Sequence, residues 1–144
     1  MTFDEAAQSA FQADVLAQIN FIREPVEIAM AKRFHDMVLA NFGIAGVDRP
    51  TDWAKLSPAY AQKVKRQIAT LQVSGALKSA VHQDGNEVFV MDSEVPYATV
   101  HQFGGGNNIP ARPYFPIDRD GECMPYTYSQ ICEAAQDETR RLLS

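Results

Sequence analysis

Apolar residues recur at every fourth position near the start of the chain: Phe3, Ala7, Phe11, Val15 and Ile19. This spacing places them along one side of an amphipathic helix over residues 3–21. Glu24-Pro25 follows, and proline disfavours helical geometry in the residue before it while fitting the first position of a new helix. The pattern therefore predicts a break here and a second helix from Val26 to Phe42, which Gly43 ends.

Two more helices are predicted further along. Ser57-Pro58 suits an N-cap followed by proline at the first helical position, so a helix is expected over 58–71. Lys63, Lys65 and Arg66 mark one side of it, which we interpret as solvated surface rather than as a phosphate-binding face. A terminal helix is expected over 125–143, with an apolar stripe of Tyr128, Ile131, Cys132, Ala135 and Leu142.

A β-hairpin is predicted around Asp84-Gly85, because this pair suits a two-residue loop with positive φ. In that register Val81 faces Val88 and Ser79 faces Val90, and this side of the ribbon is assigned to the core. The other side pairs Ala80 with Phe89, Lys78 with Met91, and His82 with Glu87. Phe89 and Met91 need a cover, either from a helix of the same chain, which we favour, or from a neighbouring subunit.

The order of elements shows no regular alternation of strands and helices, which indicates an α+β fold with N-terminal helices, a hairpin-based antiparallel sheet and a C-terminal helix. A chain of 144 residues with 46% hydrophobic and 22% charged residues is expected to form one domain over 1–144. The formal net charge of −5 disfavours a dedicated DNA-gripping role. No signal peptide or membrane span is recognised.

The candidate chemistry is sparse. Cys123 and Cys132 are read as two reduced, half-buried thiols, and the three histidines show no metal-ligand spacing. Asp84 is explained by the turn and His82 by Glu87, while Ser93 lies in no nucleophile motif. Gly104 to Gly106 lack the residues of a phosphate-binding loop. We therefore expect no enzyme, no cofactor and no metal.

The stretch from Tyr97 to Phe115 reads YATVHQFGGGNNIPARPYF. Pro96 can open a short helix in which Tyr97 and His101 share a face, and Gly104 can close it. The prolines at 110 and 113 fix φ and predict a stiff, extended arm over 109–114. On this arm Arg112 either binds a carboxylate of a neighbouring subunit or pairs within its own chain; both alternatives stay open.

These residues resemble the phage virion morphogenesis family, which includes the tail-completion protein of Mu-like phages. The matching pieces, in order over 53–115, are Trp53 with Leu56, Ser57 and Tyr60; Lys65; Leu71 with Ser74-Gly75-x-Leu77; Tyr97-Ala98; His101-Gln102-Phe103-Gly104; and Ile109 to Phe115. Only Gly105 to Ile109 separate the last two pieces, where family members often carry a longer insertion. Residues 1–45 and the terminal helix contain no recognised motif.

The resemblance implies a structural neck protein that joins head and tail as a ring, often a hexamer, through which DNA passes. A tail terminator, a stopper, a small hydrolytic enzyme and a DNA-binding regulator are the alternatives. The expected partners are further copies, the connector or stopper and the terminator, in the host cytoplasm during assembly and in the virion neck, without a membrane. The candidate assembly residues are Trp53, Tyr60, Phe89, Met91, Tyr97, His101, Gln102, Phe103, Gly104, Arg112, Pro113 and Tyr114.

Overall fold

The computed structural model describes residues 3–43, 45–55, 57–59, 62, 75–91, 93–106 and 109–144. Its elements are α1 (Phe3–Ala40), α2 (Ala76–Ser79), β1 (Val81–Asp84), β2 (Glu87–Val90), α3 (Ala98–Phe103) and α4 (Pro125–Leu143). Helices pack on one antiparallel hairpin, so the predicted α+β class is confirmed. Of the helix predicted over 58–71, nearly all, including its basic side, lies outside the described residues.

Helix α1 runs through Pro25 without a break, so the predicted division into two helices is wrong. Proline removes one backbone donor and disfavours the helix, but it does not forbid it. From Pro25 onward α1 packs on α4 and on both strands, and such packing supplies most of the stability of a helix in a protein. An ion pair between Arg23 and Glu27 at 3.0 Å also spans the proline.

The hairpin forms where it was predicted, but the register is shifted by two residues. Val81 pairs with Val90 and Asp84 with Glu87, so the loop is Gly85-Asn86 rather than Asp84-Gly85. Gly85 takes a φ of 57°, and the Asn86 side chain donates a hydrogen bond to the Glu27 carboxylate of α1 at 2.9 Å. Glycine and asparagine both suit such turns, and the contact with Glu27 fixes the position of the Asn86 side chain.

A shift of two residues leaves each side chain on its predicted face. Val81 is buried, and Val88 and Val90 pack against the core. The residues before β1 differ, because Ala76–Ser79 form the helical turn α2 after Gly75, so Ser79 and Lys78 pair with no described strand. His82 lies opposite Phe89 and bonds Glu94 at 3.1 Å, not Glu87.

The core lies between the C-terminal half of α1, α2, the hairpin and the segment around Tyr114. Val38 and Phe42 are completely buried, and the Phe42 ring packs on Tyr114 at 5.3 Å between centroids and on Trp53 at 6.2 Å. Aromatic side chains bury large areas, so this cluster contributes strongly to stability. It also joins the helical part to the motif segment.

Helix α4 has the bounds predicted for it and runs antiparallel to α1. Thr127 contacts Asp48, just beyond the end of α1, and Gln130 accepts a hydrogen bond from Arg33 at 2.8 Å. The predicted stripe is partly wrong, because Tyr128 is exposed and Thr127 is buried. The hydrogen bonds to Asp48 fix Thr127 on the buried side of α4. Tyr128, the next residue, points about 100° away around the helix and is therefore exposed.

Candidate assembly surface

The motif segment begins with α3, which forms as predicted. Tyr97 precedes it and stacks edge-on against His101 at 5.3 Å, and Gly104 ends it. Gly104 has a φ of 80°, and a Cβ there would lie 3.2 Å from the backbone N of Ala111 and the backbone O of Ile109. A side chain would therefore be strained and crowded at this position. Beyond it, the Gly105 N–H bonds the Ile109 carbonyl and closes the loop.

Gln102 fastens α3 to the proline-rich segment. Its amide oxygen accepts hydrogen bonds from the backbone N–H groups of Tyr114 and Phe115, each at 3.0 Å. The Tyr114 hydroxyl returns a hydrogen bond to the Ala98 carbonyl at 3.2 Å. This segment lies outside the described sheet of β1 and β2, as expected for a stretch with prolines. The Gln102 side chain accepts its backbone N–H groups instead.

The segment from Ile109 to Tyr114 does not project as an arm, so this part of the prediction is wrong. Tyr114 is 2% exposed and Pro113 is buried. Trp53 donates its indole N–H to the Pro113 carbonyl at 2.7 Å, and Asn41 donates to the Tyr114 carbonyl at 3.0 Å. Tyrosine and tryptophan bury their rings when their polar groups find partners.

Arg49 supports Trp53 from the other side, a role that the sequence did not suggest. Its guanidinium lies 3.4 Å above the indole ring and donates to the carbonyls of Asn41 and Gly43. A cation over an indole face is a favourable contact. An arginine in a loop next to a proline carries no signal for such stacking.

Arg112 is half-buried and bonds within its own chain. Its guanidinium donates to the carbonyls of Ala54 at 2.9 Å and Lys55 at 3.3 Å. Its backbone N–H donates to the His101 carbonyl at 2.7 Å. Of the two alternatives left open by the sequence, the contact within the chain is the one present in this structure.

His101 is a packing residue with one buried, unsatisfied ring nitrogen. No described residue forms a hydrogen bond with its Nδ1 atom. Burial lowers the pKa of His101, and the nearby charge of Arg112 lowers it further. A neutral imidazole is therefore favoured.

The outer side of α3 forms an apolar groove with the segment that follows it. One hollow of about 260 Å³ lies beside Val90, Thr99 and Phe115. A smaller hollow of about 60 Å³ adjoins Pro50 and Arg119. Gln102, Phe103 and Ile117 line both, and we call the whole feature the Phe103 groove. Phe103 itself is 64% exposed, as is common for residues at binding surfaces.

The predicted assembly residues thus fall into two groups. Those that hold the motif segment in place are Trp53, Gln102, Gly104, Arg112, Pro113 and Tyr114. Those at the surface are Phe103, Tyr97 and Met91, with Phe89 and His101 half-buried. Met91 keeps 38% of its surface exposed, so the chain itself does not fully cover it. Tyr60 lies outside the described residues.

A second apolar surface was not predicted. Residues 5–20 of α1 are all exposed, and they include Phe11, Val15, Leu16 and Ile19. Phe11, Val15 and Ile19 belong to the stripe of apolar residues, spaced four apart, that the sequence pattern assigned to an amphipathic helix. Such a stripe normally faces the core of its own chain. Periodicity shows that a helix has an apolar side but not which molecule covers it.

Neither metal-ligand clusters nor a paired thiol occurs in the part of the chain that the structure describes. No group of three or more His, Cys, Asp or Glu side chains is placed to bind a metal ion there. Cys123 and Cys132 are free and half-buried, as predicted, and burial raises the pKa of the Cys123 thiol. No described helix is long and apolar enough to cross a membrane.

Comparison with known protein families identifies the class of this chain. The model of the phage virion morphogenesis family matches residues 6–125. The chain belongs to this family. The match is wider than the motifs over 53–115 and includes most of the exposed part of α1, so that surface lies within the family region.

A relative from Haemophilus influenzae (strain ATCC 51907 / DSM 11121 / KW20 / Rd) is described as Mu-like prophage FluMu G protein 2. It is 28% identical over 134 residues, which cover 89% of this chain and 86% of the relative. No solved structure matches. Family and relative together indicate a phage protein that acts in building the virion.

Proposed function

We propose that this chain is a tail-completion subunit that joins head to tail in the neck of the virion, where several copies form a ring. The observation that carries the proposal is the family match over residues 6–125. The exposed apolar side chains of α1 and the Phe103 groove support it, because large exposed apolar patches mark surfaces that bind other proteins. The chain acts by assembly and not by catalysis.

DNA passes through the ring as cargo. The net charge of −5 supports this part of the proposal, because tight DNA binding depends on cations that neutralise phosphates. An acidic subunit lets a polyanion move past it. The connector or stopper on the head side and the terminator on the tail side are the proposed neighbours.

Deleting the gene in its phage tests this function. We expect DNA-filled heads and tails of normal length that do not join, and a plasmid copy of the wild-type gene should restore infectious particles. Electron microscopy of the lysate distinguishes unjoined heads and tails from complete particles. Tails of uncontrolled length would identify a terminator, and heads that lose their DNA would identify a stopper. Normal infectious particles would contradict the proposal.

A further inference from the structure

The exposed part of α1 is the largest unexplained feature of the molecule. Residues 5–20 span about 24 Å at 1.5 Å per residue, and Phe11 and Leu16 are 69% and 59% exposed. Phe11, Val15 and Ile19 continue towards the half-buried residues Ile22 and Val26, where the helix packs on the body of the chain. The apolar side of α1 therefore extends past its own body.

An isolated helix of this length is marginal in water, and packing of an apolar face normally stabilises it. The segment carries Glu5 and Asp14 and contains no lysine, arginine or histidine. A surface that covers it should therefore be apolar and concave, with an accessible cation at its edge rather than an unpaired carboxylate. The charge of the candidate surfaces can distinguish between them.

Two apolar hollows formed by described residues could receive apolar side chains of such a helix. One lies between α1, β2 and α4 beside Met30, Phe34 and Ile131. Among the described residues that line it, Glu27 is the charged one, and its carboxylate is already paired with Arg23. The lining of the Phe103 groove instead includes Arg119, which is exposed and forms no ion pair with any described residue. Asp118, beside it, already accepts two backbone N–H bonds. Charge complementarity favours the Phe103 groove.

We propose that residues 5–20 of α1 dock into the Phe103 groove of a second copy of this chain. The inference rests on the proposed function and adds the contact that connects neighbouring subunits. Helix and groove are different surfaces of one chain, so the contact is head-to-tail, and contacts of this kind close into rings when the rotation allows it. Both surfaces lie within the region matched by the family model.

Matched variants test the contact on the full-length chain. The helix variant carries Phe11→Gln and Ile19→Gln, and the groove variant carries Phe103→Gln. All three side chains are exposed, so both variants should keep the wild-type unfolding midpoint. Tyr128→Gln, at an equally exposed aromatic residue on α4, is the control. We expect the helix and groove variants to weaken self-association at least tenfold, measured by analytical ultracentrifugation, and the control to leave it unchanged.

Mixing the two variants distinguishes head-to-tail from symmetric pairing. The groove variant keeps its helix, and the helix variant keeps its groove. An equimolar mixture should therefore form a two-chain complex and nothing larger. If helices pair with each other instead, the groove variant alone will associate like wild type, and the proposal is overturned. A mixture that stays monomeric overturns it as well.

Photo-crosslinking detects the contact even where it is weak. A benzophenone amino acid at Leu16, in concentrated wild-type protein, should crosslink to peptides from 99–117 of another copy. Crosslinks elsewhere, or a chain that neither crosslinks nor associates, would refute the docking. The gene-deletion phenotype is read separately: unjoined heads and tails together with a failed crosslink would leave the proposed function standing and remove only this contact.

Discussion

Trp53 donates its indole N–H to the carbonyl oxygen of Pro113 across 2.7 Å, which joins two parts of the family motif that lie 60 residues apart. Proline-rich backbone has few partners of its own, so the bond satisfies a carbonyl in a buried stretch. It also aligns the indole ring under Arg49. The contact between Trp53 and Pro113 therefore maintains the shape of the motif segment.

Replacing Trp53 with phenylalanine should test this bond. The variant keeps an aromatic ring but leaves the Pro113 carbonyl without its donor, which costs about 1–3 kcal/mol. We expect the free energy of unfolding, measured in urea, to fall by that amount. Tyr126→Phe, at an exposed residue of α4, should change it little. A Trp53→Phe chain as stable as wild type would show that the bond contributes nothing.

Gln102 should tolerate glutamate better than leucine. Leucine removes the oxygen that accepts the N–H groups of Tyr114 and Phe115, and two unsatisfied donors should cost about 2–5 kcal/mol. A carboxylate keeps both bonds as an acceptor, although it loses the weaker bond to the Phe115 carbonyl. Urea unfolding at neutral pH measures both variants. Equal losses would mean that volume, and not hydrogen bonding, determines this position.

The Asp48 side chain should prove important for α4. Its carboxylate accepts the N–H and the hydroxyl of Thr127, both at 2.7 Å, near a helix N-terminus where a negative charge is favourable. Asp48→Ala should lower the free energy of unfolding by about 2–4 kcal/mol, since Thr127 is fully buried. Asp48→Asn, which keeps an acceptor, should lose less. Hydrogen exchange at Thr127 should rise in the alanine variant.

His101 should make folding sensitive to mild acid. Its pKa in the folded chain lies below the ordinary value of 6.5, first because of burial and then because of Arg112. The unfolded chain therefore takes up the proton more readily, so stability declines as the pH falls through 6.5 and the decline ends below the folded-state pKa. Comparing urea midpoints of wild type and His101→Gln between pH 7.5 and 5 isolates this contribution. Parallel curves would contradict it, whereas Arg112→Ala should shrink the difference.

The sequence predicted those elements whose ends carry local signals. Pro125 fits the first turn of α4, and Gly104 ends α3 with a positive φ that its lack of a side chain permits. It failed where tertiary contacts outweigh local preference. Pro25 stays inside α1, which packs on α4 and on both strands, and the observed hairpin register brings Asn86 within hydrogen-bond distance of Glu27.

The site was predicted as a set of residues but not as a geometry. The motif located Gln102, Arg112 and Tyr114, yet the sequence does not show that these side chains point inward and form hydrogen bonds with backbone groups. The predicted assembly residues included Phe103, while Phe11 and Val15 were assigned to a helix stripe without a known partner. An apolar helix face has the same sequence pattern whether another subunit or the same chain covers it.

The bridge between Gly105 and Ile109 forms the closed base of a short loop. Extra residues inserted between the two bridged residues need not alter the strands and helices outside the loop. The entropic cost of closing a loop grows only slowly with its length. The longer insertions expected in relatives can thus extend outward from this base. For this chain, the position after Gly106 becomes a natural place for an epitope tag, through which the subunit could be located in images of intact particles.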